Sequence, residues 1–133
     1  TYLGVDQSAA AAQAALERTS GYVRGGRAMI RNERFNAESH EPALFDRVLA
    51  VNVNLFWSDE GAAMRDVRRI MHIKSRAVLV YQPPAAEQRA KIARAVKRRM
   101  APYFGTIEAS MRTVGGAPLL AIVAELKPRE QRT

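Results

Sequence analysis

The chain has no cysteine in its 133 residues. This excludes both a disulfide framework and a thiolate metal site, and it fits a protein kept in a reducing cytoplasm. No stretch approaches the roughly 18 consecutive apolar residues that a bilayer crossing requires. No basic-then-apolar leader opens the chain either, so the expectation is a soluble cytoplasmic protein with no membrane partner. His40 and His72, the two histidines, lie far apart with no carboxylate or cysteine at ligand spacing, so no metal site is expected. No serine sits in a nucleophile elbow, no phosphate loop joins a strand to a helix, and no two carboxylates share one face of a predicted helix. Trp57 is the single tryptophan.

Acidic residues are also in short supply, with 13 against 21 basic ones and a formal charge of +8. Such a balance favours polyanions only where the charge gathers on one surface. Arg89, Lys91, Arg94, Lys97, Arg98 and Arg99 do fall on one predicted helix, but Ile92, Val96 and Met100 recur every four residues along its other side. That pattern is the ordinary one for an outer helix with a solvated face. No aromatic residue interleaves the bases as a stacking platform, so nucleic acid is not the expected partner.

With 47% hydrophobic residues, the length suffices for one domain with a core and is too short for two. Residues 1–133 are therefore read as a single domain. The run Tyr2 to Val5 reads as a buried strand, and Ser8 caps an alanine-rich helix that reaches Arg18. A glycine-bearing loop over Thr19 to Gly26 precedes a polar strand over Arg27 to Phe35. Phe45 to Asn54 carries the near-continuous apolar run expected of a central strand covered on both faces. Ser58-Asp59-Glu60 starts a helix with Ala63, Val67, Ile70 and Met71 as its inward stripe. Arg76 to Tyr81 is a further buried strand, the basic helix runs from Ala85 to Met100, and Gly105 to Val114 pairs with Pro118 to Leu126 across Gly115-Gly116-Ala117 as an antiparallel hairpin.

Three pieces of this order carry a resemblance. Val5-Asp6-Gln7-Ser8 opens a helix, Phe45-Asp46-Arg47-Val48 leads into Val51-Asn52-Val53-Asn54-Leu55-Phe56-Trp57, and a hairpin closes the chain. Together they resemble class I S-adenosylmethionine-dependent methyltransferases over nearly the whole length. The resemblance implies an α/β, Rossmann-like sheet, mostly parallel with a C-terminal antiparallel hairpin. It further implies methyl transfer to a small-molecule acceptor with S-adenosylmethionine as cofactor. By the same resemblance Asp6 holds the cofactor ribose hydroxyls, with Gln7 beside the adenine. Arg34 or Asn36 stands where the family places an acid for the adenine amino group, and Phe35 is placed to stack on the base. Asn52 corresponds to the position near the methionine part of the cofactor, and Leu55, Phe56 and Trp57 wall the substrate entrance.

The family's first strand and its glycine-rich turn precede the residue that matches Tyr2, and no segment of the sequence replaces them. The expectation is an N-terminally truncated member whose cofactor binding is weakened or lost without that loop. The family's sheet sets the lost strand between Leu3 to Val5 and Val48 to Val53. Its loss leaves backbone groups whose burial unpaired costs on the order of 1–3 kcal/mol each. Direct closure of the neighbours, an N-terminal segment, or strands exchanged in a homo-oligomer such as a dimer would each mend it. The alternative function is a non-catalytic methyltransferase-like domain acting in dimerisation or protein interaction.

Overall fold

The computed structural model describes residues 1–128. The chain divides into two compact units, Thr1–Asn36 and Ala37–Thr133. No helix among the described residues is long and apolar enough to cross a membrane.

In the first unit, β1 (Tyr2–Asp6) runs parallel to β2 (Ala28–Asn32), with Tyr2 opposite Ala28 and Asp6 opposite Asn32. The crossover between them is α1 (Ala9–Arg18) followed by a short α2 (Ser20–Arg24). Ser8 caps α1 as its sequence predicts: the backbone is extended there and its hydroxyl accepts from the Ala11 amide at 3.2 Å. The short helix α2 replaces the loop expected before Gly25, because Tyr22 and Val23 amides both find the Thr19 carbonyl and continue the helical path. The second strand is shorter than the sequence suggests. It ends at Asn32 rather than Phe35, where the Asn32 side-chain amide and the Glu33 backbone amide both donate to the Asp6 carbonyl and turn the chain.

The second unit is a four-stranded sheet in the order β3-β4-β6-β5, comprising β3 (Phe45–Val51), β4 (Met71–Tyr81), β5 (Phe104–Val114) and β6 (Ala117–Leu126). β3 and β4 are parallel, while β6 is antiparallel to both β4 and β5. Three of the four strands therefore share a direction. Gly115 and Gly116, both at positive φ, make the two-residue turn between β5 and β6 that an L residue with a side chain would strain.

Across this sheet the register fixes two unlike faces. Ala77, Leu79 and Tyr81 of β4 lie opposite Ala124, Ile122 and Leu120 of β6, and all six are buried. Against them pack α4 (Ala62–Ile70) through Ala63, Met64 and Val67, and α5 (Gln88–Met100) through Ile92, Val96 and Met100. The cationic side of α5 is its outer face, as its four-residue apolar spacing requires. On the other face, Leu49, Val78 and Val123 form one row across the strands and Val51, Val80 and Ala121 the next. Leu49 is 62% and Val51 57% exposed. This corrects the expectation of a central strand covered on both faces: β3 has β4 as its one strand partner in a four-stranded sheet, and its apolar run leaves every second side chain uncovered.

The helix expected from Ser58 is broken. Leu55–Ser58 forms one turn, α3, and α4 begins only after Gly61, whose φ of 108 needs glycine. The break is built by Asp59, whose carboxylate accepts from the Gly61 amide at 2.7 Å and the Ala63 amide at 3.0 Å. Arg99 on α5 fixes the same corner by donating to the Asp59 carbonyl and, at 3.0 Å, to the Ala95 carbonyl.

Candidate functional site

Ligands of open α/β sheets collect at the carboxyl ends of parallel strands, because the loops there splay apart and helix N-termini point in. Each unit has such a rim. In the first, Asp6 ends β1 and is exposed. Its Oδ1 accepts from the Ser8 amide at 2.8 Å, a tight local turn that pins the carboxylate at the start of α1. Gln7 is exposed beside it. Arg34, Phe35 and Asn36 follow β2 in irregular chain and are exposed, Phe35 at 37%. Because β2 stops at Asn32, the residue standing immediately past the strand is Glu33, with its amide on the Asp6 carbonyl at 3.1 Å. Alignment to the family sets Arg34 or Asn36 at its acidic position, whereas the end of β2 at Asn32 puts Glu33 nearest the strand end. Asn32, a poor strand residue with a side chain that bonds backbone, was the available signal.

In the second unit the rim is formed by the ends of β3 and β4. Asn52 stands just past β3 in the left-handed region, with a φ of 54. Asparagine tolerates that conformation better than other residues with a Cβ. Its amide donates to the Val80 carbonyl at 2.8 Å and its Oδ1 accepts from the Gln82 amide at 2.8 Å, so the side chain staples the two strand ends together. One residue back on β4, the Tyr81 hydroxyl donates to the Val53 carbonyl at 2.9 Å. Burial pushes the Tyr81 phenol well above the ordinary tyrosine range.

Around this staple lies a cleft of about 410 Å³, within the size range of small-molecule sites. Asn52, Asn54, Trp57, Gln82, Gln88 and Lys91 supply its polar atoms, and Pro83, Pro84 and Ile92 its apolar surface. Of the three residues expected at a substrate entrance, Trp57 is the one that lines the cleft. Phe56 is 5% exposed and belongs to the core, because the single turn of α3 sets it against α5 and α4, while Leu55 is 45% exposed and lies outside the cleft lining. Sequence reasoning missed Gln88 and Lys91, which look like two more members of a solvated helix face until the first turn of α5 is seen beside Asn52.

The test of a nucleoside cofactor falls on these atoms. Asp6 suits a ribose: a strand-end carboxylate with one oxygen held by a backbone amide leaves the other as acceptor for a hydroxyl. The methionine end is less well provided for. Among the described residues no glycine lies in a turn from a strand end into a helix of the kind that cradles a carboxylate with backbone amides.

No protein-family model and no curated protein sequence matches the chain. Solved structures do. A carbon methyltransferase, CurJ, superposes with a TM-score of 0.70 at 14% identity, over 96% of this chain and 42% of its own. A SAM-dependent methyltransferase from Aquifex aeolicus gives 0.64 at 10% identity, over 92% of this chain and 66% of its own. A possible exported protein from Bordetella parapertussis gives 0.62 at 12% identity, over 95% of this chain and 53% of its own. The chain spans 42–66% of the length of these three structures. At such identities the likeness is one of architecture, and on that likeness the chain has the mixed α/β fold of S-adenosylmethionine-dependent methyltransferases.

Proposed function

We propose that this chain carries the cofactor and acceptor determinants of an S-adenosylmethionine-dependent methyltransferase acting on a small molecule. The observation that carries the reading is the stapled rim of the second unit, where Asn52 ties β3 to β4 beside a cleft of small-molecule size in a methyltransferase fold. In this reading Asp6 accepts hydrogen bonds from the ribose hydroxyls. Gln7, Arg34, Phe35 and Asn36 serve the adenine, with Glu33 added as the acid for its amino group. Asn52 serves the methionine portion, and Trp57 bounds the acceptor.

The chemistry asks little of side chains. The bound cofactor supplies an already activated sulfonium methyl. The protein's part is to hold the acceptor atom in line with it and to exclude water. Calorimetric titration with S-adenosylmethionine tests the reading, with saturable heat expected at cofactor concentrations up to the millimolar range. Asp6→Ala removes a charge-assisted hydrogen-bond acceptor of about 1.5–3 kcal/mol and should weaken binding at least tenfold. Absence of heat at millimolar cofactor would overturn it.

A second reading rests on the uncovered sheet face. Leu49, Val51 and Val123, at 62%, 57% and 38% exposure, stand in adjacent rows beside a strand that is hydrogen-bonded along one side. Exposed apolar rows next to an open strand edge favour association. A non-catalytic, self-associating domain would use them. Sedimentation equilibrium then shows a dimer that Leu49→Lys converts to monomer, whereas a monomeric parent protein removes this reading.

A further inference from the structure

The cleft beside Asn52 carries charge of one sign, Lys91, among uncharged polar groups. The Asn52 Oδ1 is taken by the Gln82 amide, so the side chain turns its NH₂ group toward other partners. The Gln88 Oε1 is likewise taken, by the Ala85 amide at 3.4 Å, which leaves its NH₂ as well. The Tyr81 hydroxyl spends its proton on the Val53 carbonyl. Trp57 Nε1 is buried out of reach of solvent, so Trp57 offers the cleft its ring rather than its N–H. Lys91 lines the same cleft with three donors and no hydrogen bond or ion pair among the described residues. Among the described residues no aspartate or glutamate lines the cleft.

The Asn54 and Gln82 amides keep both donor and acceptor roles, but a cavity with one cation and no carboxylate, in which the Asn52 and Gln88 oxygens are engaged and their NH₂ groups left to donate, favours an anionic acceptor. We propose that this cleft binds a small planar carboxylic acid, its carboxylate facing Lys91 and the Gln88 amide and its flat body lying against Trp57 and the Pro83-Pro84 wall. The proposal deepens the methyl-transfer reading by giving the acceptor a chemical class, and it rests on that reading only for the word acceptor. A carboxylate is favoured over a phosphate because the donors are amides around a single lysine. A phosphate dianion would call for a second cation or a backbone nest. A volume of about 410 Å³ admits a one-ring acid together with water.

The sole tryptophan makes the test direct, since any ligand seated here lies against it. Titration of the cofactor-free chain with benzoate should give a saturable change in Trp57 fluorescence. Benzamide, of the same shape without the charge, should bind at least tenfold more weakly, and inorganic phosphate should leave the signal unchanged. Lys91→Met, at an exposed position where folding is checked by circular dichroism, should lower benzoate affinity about tenfold while leaving benzamide unaffected. Gln88→Glu, which sets a carboxylate against the ligand's own, should abolish the benzoate response. Equal binding of benzoate and benzamide, phosphate saturation in place of benzoate, no response at all, or full benzoate affinity in either variant would each overturn the proposal. Because cofactor is left out, a chain that binds benzoate but never S-adenosylmethionine keeps the carboxylate site and loses the methyltransferase reading. The reverse pattern does the opposite.

Discussion

Phe104→Ala is expected to cost about 3–5 kcal/mol of folding stability, the range for deleting a fully buried aromatic side chain and leaving a partly collapsed cavity. Phe104 opens β5 opposite Leu126 and is 1% exposed within the core that α4 and α5 share with the sheet. Three features make its environment unforgiving. It stands where β5 leaves the α5 turn, so its ring is held by Met100 and Leu126 in the same cluster. The neighbouring strand carries Ala124, too small to relax into the void. The register irregularity between Phe104 and Thr106 already takes up the local backbone freedom. Since small domains have only about 5–15 kcal/mol in total, the variant should lose a large share of its folded population. Urea unfolding measures it, with Phe104→Leu as the shape-tolerant control expected to cost under about 1.5 kcal/mol. A loss below about 1 kcal/mol for the alanine variant would mean that this corner of the core is not packed as described.

Truncation at Tyr81 should be comparably severe, and it adds a pH dependence. Tyr81→Ala removes a side chain that is 2% exposed and an anchor for the Val53 carbonyl, for about 3–5 kcal/mol, whereas Tyr81→Phe removes only the hydroxyl, for about 1–2 kcal/mol. The fold needs the protonated phenol, which burial holds above its ordinary range. In the unfolded chain the phenol releases its proton near pH 10. The stabilisation is therefore complete below that pH and is lost as pH climbs toward the higher folded value. Unfolding experiments at pH 8 and pH 11 should show a steeper alkaline loss for the parent protein than for Tyr81→Phe. Parallel profiles would remove Tyr81 as the cause.

How much of this was legible in the sequence depended on how local the determining contacts are. Ser8, the Ile92-Val96-Met100 spacing and the Gly115-Gly116 pair each set their element through neighbours within a few residues, and α1, α5 and the hairpin follow them closely. Asp59 and Gly61 break a helix that periodicity alone runs through, because the break is closed by Arg99 from another element. The apolar run Val48 to Val53 reads the same whether or not a layer covers both of its faces, so sequence could not tell a central strand from β3 as it stands. In the cleft, Asn52 and Trp57 came from the family resemblance of the stretch that follows the apolar strand. Gln88 and Lys91 were hidden because a helix's first turn looks alike whether it faces water or a cavity.

The adjacent bare rows that hold Leu49, Val51 and Val123 set the terms on which the protein tolerates ions around it. A formal charge of +8 keeps copies apart through a repulsion that reaches only about 8 Å at physiological salt and shrinks to about 3 Å at 1 M. Apolar attraction, unlike that repulsion, is not screened. Dilute buffers are therefore expected to keep the molecules dispersed, and concentrated brines to make the same surface adhesive.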